Sequence, residues 1–224
     1  MKRSKRRRVF IQKIRTGWIS VLLVSLVSFA ALAATIPEAG GSRLDQWAEA
    51  WMSGWKSDGM TGMFTILSYF GSTAAIAGMT LIAAAAVWIA QGWKRGVAIL
   101  AGMAAAYLLN SLLKSAFERA RPVAAWGIEA DGASFPSGNA MLGFVMFGLI
   151  ALTVILSARS GRAVKAGAAA AAVIFIGLMG LSRVYFHVHY ISDILGGYAA
   201  GLATISLVML VLQAAERRKG AAKR

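Results

Sequence analysis

Both histidines of the chain, His187 and His189, fall in one stretch, SRVYFHVHYISD (182–193), with Arg183 before them and Asp193 after. His189 and Asp193 are four residues apart, so they share a face if the segment is helical. A carboxylate there can accept an imidazole N–H and fix the tautomer. A histidine held in that way is a credible nucleophile, forming a phosphohistidine that water then cleaves. Two other clusters suit the same chemistry. In KSAFERARP, Lys114 and Arg121 are seven residues apart and Pro122 follows. Seven residues is two helical turns, so both cations are predicted to point the same way. In FPSGNA (135–140), Ser137 and Gly138 offer a hydroxyl and backbone N–H groups near a helix start, a natural anion site. Phosphoryl transfer spreads charge over equatorial oxygens, which fixed cations stabilise. Lys114, Arg121 and Arg183 would supply three. No dense carboxylate cluster offers a magnesium site, so neither metal nor cofactor is expected.

These clusters can cooperate only if the fold brings them to one place. Hydrophobic residues make up 58% of the 224 residues and charged residues 15%, against roughly 25% charged in soluble domains. Apolar stretches near 17–36, 65–90, 97–116, 139–157, 166–183 and 193–213 are about long enough to cross a bilayer. The expectation is an all-α bundle of six transmembrane helices forming one domain over 1–224, with basic tails at about 1–16 and 214–224. The net charge is +15, yet 18 of the 24 Lys and Arg lie in 2–15, 94–95, 159–165 and 217–224. These are alternate connections plus both tails, which marks them as cytoplasmic. The basic balance is therefore a topology signal and a contact with anionic membrane lipid, and no nucleic-acid partner is expected. Eight of the nine acids fall on the opposite side. The loops 37–60, 117–138 and 184–192 then face out, and all three clusters lie with them.

MKRSKRRR before an apolar run ending near Ala31-Leu32-Ala33 fits either a cleaved signal or a retained first span; it is read as retained. Leu44, Trp47, Trp51 and Trp55 recur at three- and four-residue spacing, which predicts a short amphipathic helix on the outer surface. It serves either as a cap on the bundle or as a gate for lipid. Cysteine is absent, which excludes disulfides, a thiolate catalyst and Cys-based zinc sites.

The ordered pattern K-x6-RP, PSG-, SR-x5-H-x3-D resembles the type 2 phosphatidic acid phosphatase (PAP2) superfamily, and six spans with outward motifs look like its bacterial membrane branch. The resemblance implies His189 as nucleophile, Asp193 as its orienting partner, and Lys114, Arg121, Ser137, Gly138 and Arg183 as phosphate ligands. It also implies metal-independent removal of phosphate from a lipid phosphate or polyprenyl diphosphate. One departure stands out. The family's PSGH reads PSGN here, and its histidine is the general acid. Asn139 cannot donate a proton at neutral pH. An inactivating substitution, a natural variant whose substrate tolerates the loss, and a lipid-phosphate-binding pseudoenzyme all remain open. A diphosphate substrate would tolerate it best, because a leaving phosphate needs little protonation.

Several neighbours have plainer readings. Lys114 and Glu118 could form an i,i+4 ion pair. His187 is either a bystander or a substitute proton donor. Glu118 and Arg119 read as surface charges, Tyr185 and Tyr190 as interfacial anchors, and Asn110 as the maker of an interhelical hydrogen bond.

Overall fold

A computed structural model describes residues 2–37, 40–125, 128 and 130–222, with side chains described from 12 to 215 within that range. The side chains of the basic tails at 1–11 and 216–224 lie outside it. Among the described residues, eight helices follow in order: α1 (Lys2–Ala34), α2 (Arg43–Ser53), α3 (Asp58–Phe70), α4 (Thr73–Gln91), α5 (Trp93–Phe117), α6 (Gly138–Ile155), α7 (Arg162–Tyr185) and α8 (Ile191–Ala222). Six of them, α1 and α4 to α8, are long and apolar enough to cross a membrane. α6 and α8 form the centre, packed on each other and on α5 and α7, whereas α1 lies along α8 and is the least buried span. Ile99, Ala106, Met141, Val145, Met146, Met179 and Ile205 make the interior.

One span begins later than expected. The apolar run 65–90 is not a single helix: α3 stops at Phe70 and α4 starts at Thr73. Gly71 caps α3, and the Ser72 hydroxyl accepts from the Ala75 N–H to start α4. A serine able to take an orphan N–H makes a new start cheap there, and hydropathy does not register such a cap.

α2 is set by a capping box. The Ser42 hydroxyl accepts from the Asp45 N–H, and the Asp45 carboxylate accepts from the Ser42 N–H. Leu44, Trp47 and Trp51 are exposed on the helix, Trp55 just beyond it, and the Trp47 and Trp51 rings stack 6.2 Å apart. The opposite face buries Asp45, Ala48 and Met52. Met52 is 1% exposed, and burying such a side chain contributes about 1.5–3 kcal/mol. It joins Phe64 of α3 and Val184, Tyr185, Phe186 and Val188 in a second apolar cluster that seats both short helices on the α7–α8 turn.

Tyr185 and Tyr190 are buried, not interfacial. The Tyr185 hydroxyl shares a 2.6 Å hydrogen bond with Thr61, and the Tyr190 ring lies 4.2 Å from the Arg119 guanidinium carbon. Asn110 donates to the Pro136 carbonyl at 3.3 Å and ties α5 to the segment that starts α6.

Candidate active site

The C-terminal ends of α5 and α7 and the N-terminal ends of α6 and α8 lie at one end of the bundle, with α2 and α3. Lys114 and Arg121 do not converge by helical register. α5 ends at Phe117, and Glu118 takes a left-handed conformation (φ 43°) that breaks the period. The chain then turns, and Lys114 Nζ and Arg121 Nη2 both donate to the Ala133 carbonyl. Arg121 is fixed further by the carbonyls of Gly132 (2.9 Å), Asp131 (2.9 Å) and Val188 (2.7 Å). Among the described residues Lys114 makes no ion pair with Glu118.

His189 precedes α8, and Asp193 sits in its first turn. Its side chain folds back, so that Oδ2 accepts from the Tyr190 N–H at 2.8 Å and from the Ser134 hydroxyl, and lies 3.4 Å from His189 Nδ1. The other ring nitrogen, Nε2, is 3.1 Å from Arg121 Nη1. A guanidinium can only donate, so Nε2 carries the lone pair and Nδ1 the proton. Burial pulls the His189 pKa down to about 4: the Asp193 hydrogen bond pulls it upward, while the charges of Arg121 and Arg183 add to the fall. The imidazole is therefore neutral, as a nitrogen nucleophile must be.

Ser137 is the N-cap of α6 but its hydroxyl makes no cap bond; its N–H donates to the Asp193 carbonyl at 3.1 Å. α8 comes this close because residue 197 is glycine: a Cβ there would lie 2.8 Å from the Ser137 carbonyl oxygen. Gly138 opens the helix beside Asn110. Arg183, near the end of α7, is buried, and its Nη1 lies 3.5 Å from the Ser68 hydroxyl of α3. The Ser137 hydroxyl and Arg183 Nε are both buried with no hydrogen-bond partner among the described residues. Buried polar groups ordinarily find partners, and a phosphate would supply them. Asn139 packs against the α3–α4 corner, where a Cβ on Gly71 would fall 2.4 Å from its Nδ2.

His187 turns away from these residues. Its Nδ1 is 3.0 Å from Glu49 and its Nε2 3.1 Å from Ser53, both on α2. Arg119, read from the sequence as a surface charge, is buried at 6% exposure. It donates to Asp193 Oδ1 at 2.6 Å, Asp45 Oδ2 at 3.0 Å and the Ser192 hydroxyl at 2.8 Å. Sequence reasoning missed Arg119, Ser134 and Asp45. Asp45 left one signal, the Ser-x-x-Asp spacing of a cap. Arg119 left another, as one of six Lys and Arg outside the basic segments.

Residues 95–217 match the PAP2 superfamily model. The chain is 27% identical over 190 residues to phosphatidylglycerophosphatase B of Bacillus subtilis, covering 85% of this chain and 92% of that protein. The crystal structure of a transmembrane PAP2-type phosphatidylglycerolphosphate phosphatase from Bacillus subtilis aligns with a TM-score of 0.71 and 26% identity, covering 86% of this chain and 94% of that one. The structure of Aquifex aeolicus LpxE, 18% identical, aligns with a TM-score of 0.61 over 78% of this chain and 99% of that one, a likeness of fold. With six spans bearing that fold and the family's pattern over more than half its length, the chain belongs to the PAP2 superfamily, as a multi-pass membrane phosphatase.

Proposed function

We propose that the chain, acting as one integral-membrane unit, hydrolyses a phosphate or diphosphate of a membrane lipid through a phosphohistidine on His189. One observation carries the reading: a single buried imidazole has a carboxylate at Nδ1 and a fixed guanidinium at Nε2. Substrate phosphate binds at Arg121, Arg183, Lys114 and Ser137, with the first N–H groups of α6 from Gly138. Arg121 passes its hydrogen bond from Nε2 to a phosphate oxygen, a charged and therefore better acceptor. Nε2 attacks phosphorus as the bond to the leaving oxygen breaks. The Nδ1 proton stays on the ring, whose positive charge Asp193 balances. Water then attacks phosphorus and gives up a proton, which by way of solvent balances the charge on the departed lipid oxygen; the P–N bond breaks, and inorganic phosphate leaves a neutral His189.

The Bacillus subtilis relative is named for phosphatidylglycerol phosphate, which makes a phospholipid monophosphate one candidate. Asn139 favours a second, a polyprenyl diphosphate such as undecaprenyl diphosphate, whose leaving phosphate departs without a proton donor. Turnover of both lipids in detergent, with EDTA present, by the chain with Asn139 and by Asn139→His separates them. The substitution is expected to raise monophosphate turnover by about 10²-fold or more and diphosphate turnover much less. Equal gains would assign residue 139 a positional role. No turnover by either variant would leave a lipid-phosphate-binding pseudoenzyme. Turnover that EDTA abolishes and magnesium restores would overturn a metal-free site.

The charge pattern puts both termini in the cytoplasm and the site outside. Cysteine at Val123, an exposed residue, is expected to react with an impermeant thiol reagent on intact cells; reaction only after lysis would invert the orientation.

A further inference from the structure

Asp193, the carboxylate at His189 Nδ1, is itself held from outside the three helices, α5, α6 and α7, that carry phosphate-binding candidates. Its Oδ1 takes an N–H from Arg119 at 2.6 Å. The other guanidinium nitrogen of Arg119 donates to Asp45 of α2 at 3.0 Å. Asp45 is anchored in turn: its Oδ1 accepts from the Ser192 N–H at 2.9 Å, and its Oδ2 from the Ser192 hydroxyl at 3.0 Å and from the Ser42 N–H and hydroxyl, each at 2.9 Å. Both carboxylate side chains are fully buried and the Arg119 side chain is 3% exposed. Three charged side chains removed from water persist only as a paired set. The bonds between Asp45 and Ser192 span 147 residues of sequence and join α2 with the first turn of α8. Nothing in the phosphate chemistry requires Asp45 or Arg119 to touch substrate.

We infer that Arg119 and Asp45 are positioning residues that fix the Asp193 carboxylate, and through it the orientation and basicity of His189, with α2 as the strut that holds them. This rests on the reading of His189 as nucleophile. The physical consequence is directional. Arg119 draws charge away from Asp193, and Asp45 draws charge away from Arg119. Removing the Arg119 charge leaves Asp193 a stronger partner for a protonated imidazole, so His189 becomes more basic. Removing the Asp45 charge leaves Arg119 pulling harder on Asp193, so His189 becomes less basic. The other charged groups facing the imidazole, Arg121 and Arg183, are unchanged in both variants. Mere loosening of the site would admit water and move His189 toward its ordinary value in both.

The test uses the full chain in detergent with a lipid phosphate substrate and three variants: Arg119→Gln, Arg119→Lys and Asp45→Asn. Losses in kcat of about 10–100-fold are expected for Arg119→Gln and Asp45→Asn, the range seen when an outer partner of a catalytic ligand is removed, with KM little changed. The acid limb of kcat/KM moves to higher pH in Arg119→Gln and to lower pH in Asp45→Asn. Arg119→Lys keeps the charge but cannot span two carboxylates, so kcat falls while the limb stays. Should Arg119→Gln fail to fold, the other two carry the test. Unchanged kcat in both, or limbs that move upward in both, overturns the relay. Failure of the nucleophile reading itself would look different: His189→Ala would keep its covalent phosphate labelling whatever the relay variants did.

Discussion

The carboxylates at the site and two of the candidate phosphate ligands, Arg183 and Ser137, meet their hydrogen-bonding needs in opposite ways. Asp193 and Asp45 are saturated, with donors at 2.6–3.0 Å from Arg119, Tyr190, Ser192 and Ser42. On the cationic side, the Ser137 hydroxyl and Arg183 Nε are buried without partners among the described residues. Arg119 Nε shares that condition, but its guanidinium lies over the Tyr190 ring. A saturated network has one arrangement and holds it. An unsaturated one carries a desolvation cost that a ligand with the right acceptors relieves. Under the proposed mechanism the acidic side orients the imidazole, and Arg183 and Ser137 are completed by phosphate oxygens.

That contrast breaks most sharply at the imidazole, where the two sides meet. His189→Ala is expected to abolish covalent phosphate labelling and to cost roughly 10⁴-fold or more in turnover, as loss of a nucleophile does. His187→Ala should retain most of both, since its ring bonds to Glu49 and Ser53 of α2. Quench-flow labelling of the two variants checks this, and the reverse result would shift the assignment by two residues.

A smaller loss is expected on the cationic side. Arg183→Ala removes a charge aimed at developing phosphate charge and should lower kcat about 10²–10³-fold. Ser137→Ala removes one neutral donor and should cost on the order of tenfold. Ser137→Ala should not destabilise the fold, because its hydroxyl has no hydrogen-bond partner to lose among the described residues, and Arg183→Ala gives up one long contact, 3.5 Å from Nη1 to the Ser68 hydroxyl. A thermal shift downward in Ser137→Ala would mean that its hydroxyl belongs to the scaffold.

The finest test is pH. His189 is active when neutral, and its pKa lies near 4, below the ordinary 6.5. The His189 contribution is therefore kept as pH falls through 6.5 and is lost as it falls through about 4. A phosphate monoester substrate adds its own ionisation near pH 6. The kcat/KM profile should resolve two separate acid limbs. A single limb near pH 6 with a slope of two would show an unshifted histidine.

The six spans were legible because each is a continuous apolar run, and hydropathy averages over the run. The α3–α4 break was not, since a single serine cap at Ser72 decides it. The candidate phosphate residues stand out because Lys114, Arg121 and Arg183 are rare cations outside the basic segments. Their geometry is another matter. Helical register suggested that Lys114 and Arg121 would align, but Glu118 ends the helix, and the shared Ala133 carbonyl brings the two together instead. Arg119 was misread because a charge next to Glu118 in a loop looks solvated. Its partners Asp45 and Asp193 each lie 74 residues away, beyond any local pattern. Tyr185 and Tyr190 were misread for the same reason: the groups that meet them, Thr61 and Phe64 of α3 for Tyr185 and Arg119 for Tyr190, come from distant parts of the chain.

The contact between Arg121 and Nε2 of His189 bears on which electrophiles this imidazole can meet. With its lone pair engaged by a guanidinium N–H at 3.1 Å, the ring is a poor target for neutral acylating or alkylating reagents. Only an anion strong enough to claim Arg121 for itself uncovers the lone pair, and it does so at the moment its own phosphorus arrives. As the proposed nucleophile, the histidine is then a reagent with a safety catch, released by the charge of the molecule it attacks, and a membrane rich in uncharged esters would pass it untouched.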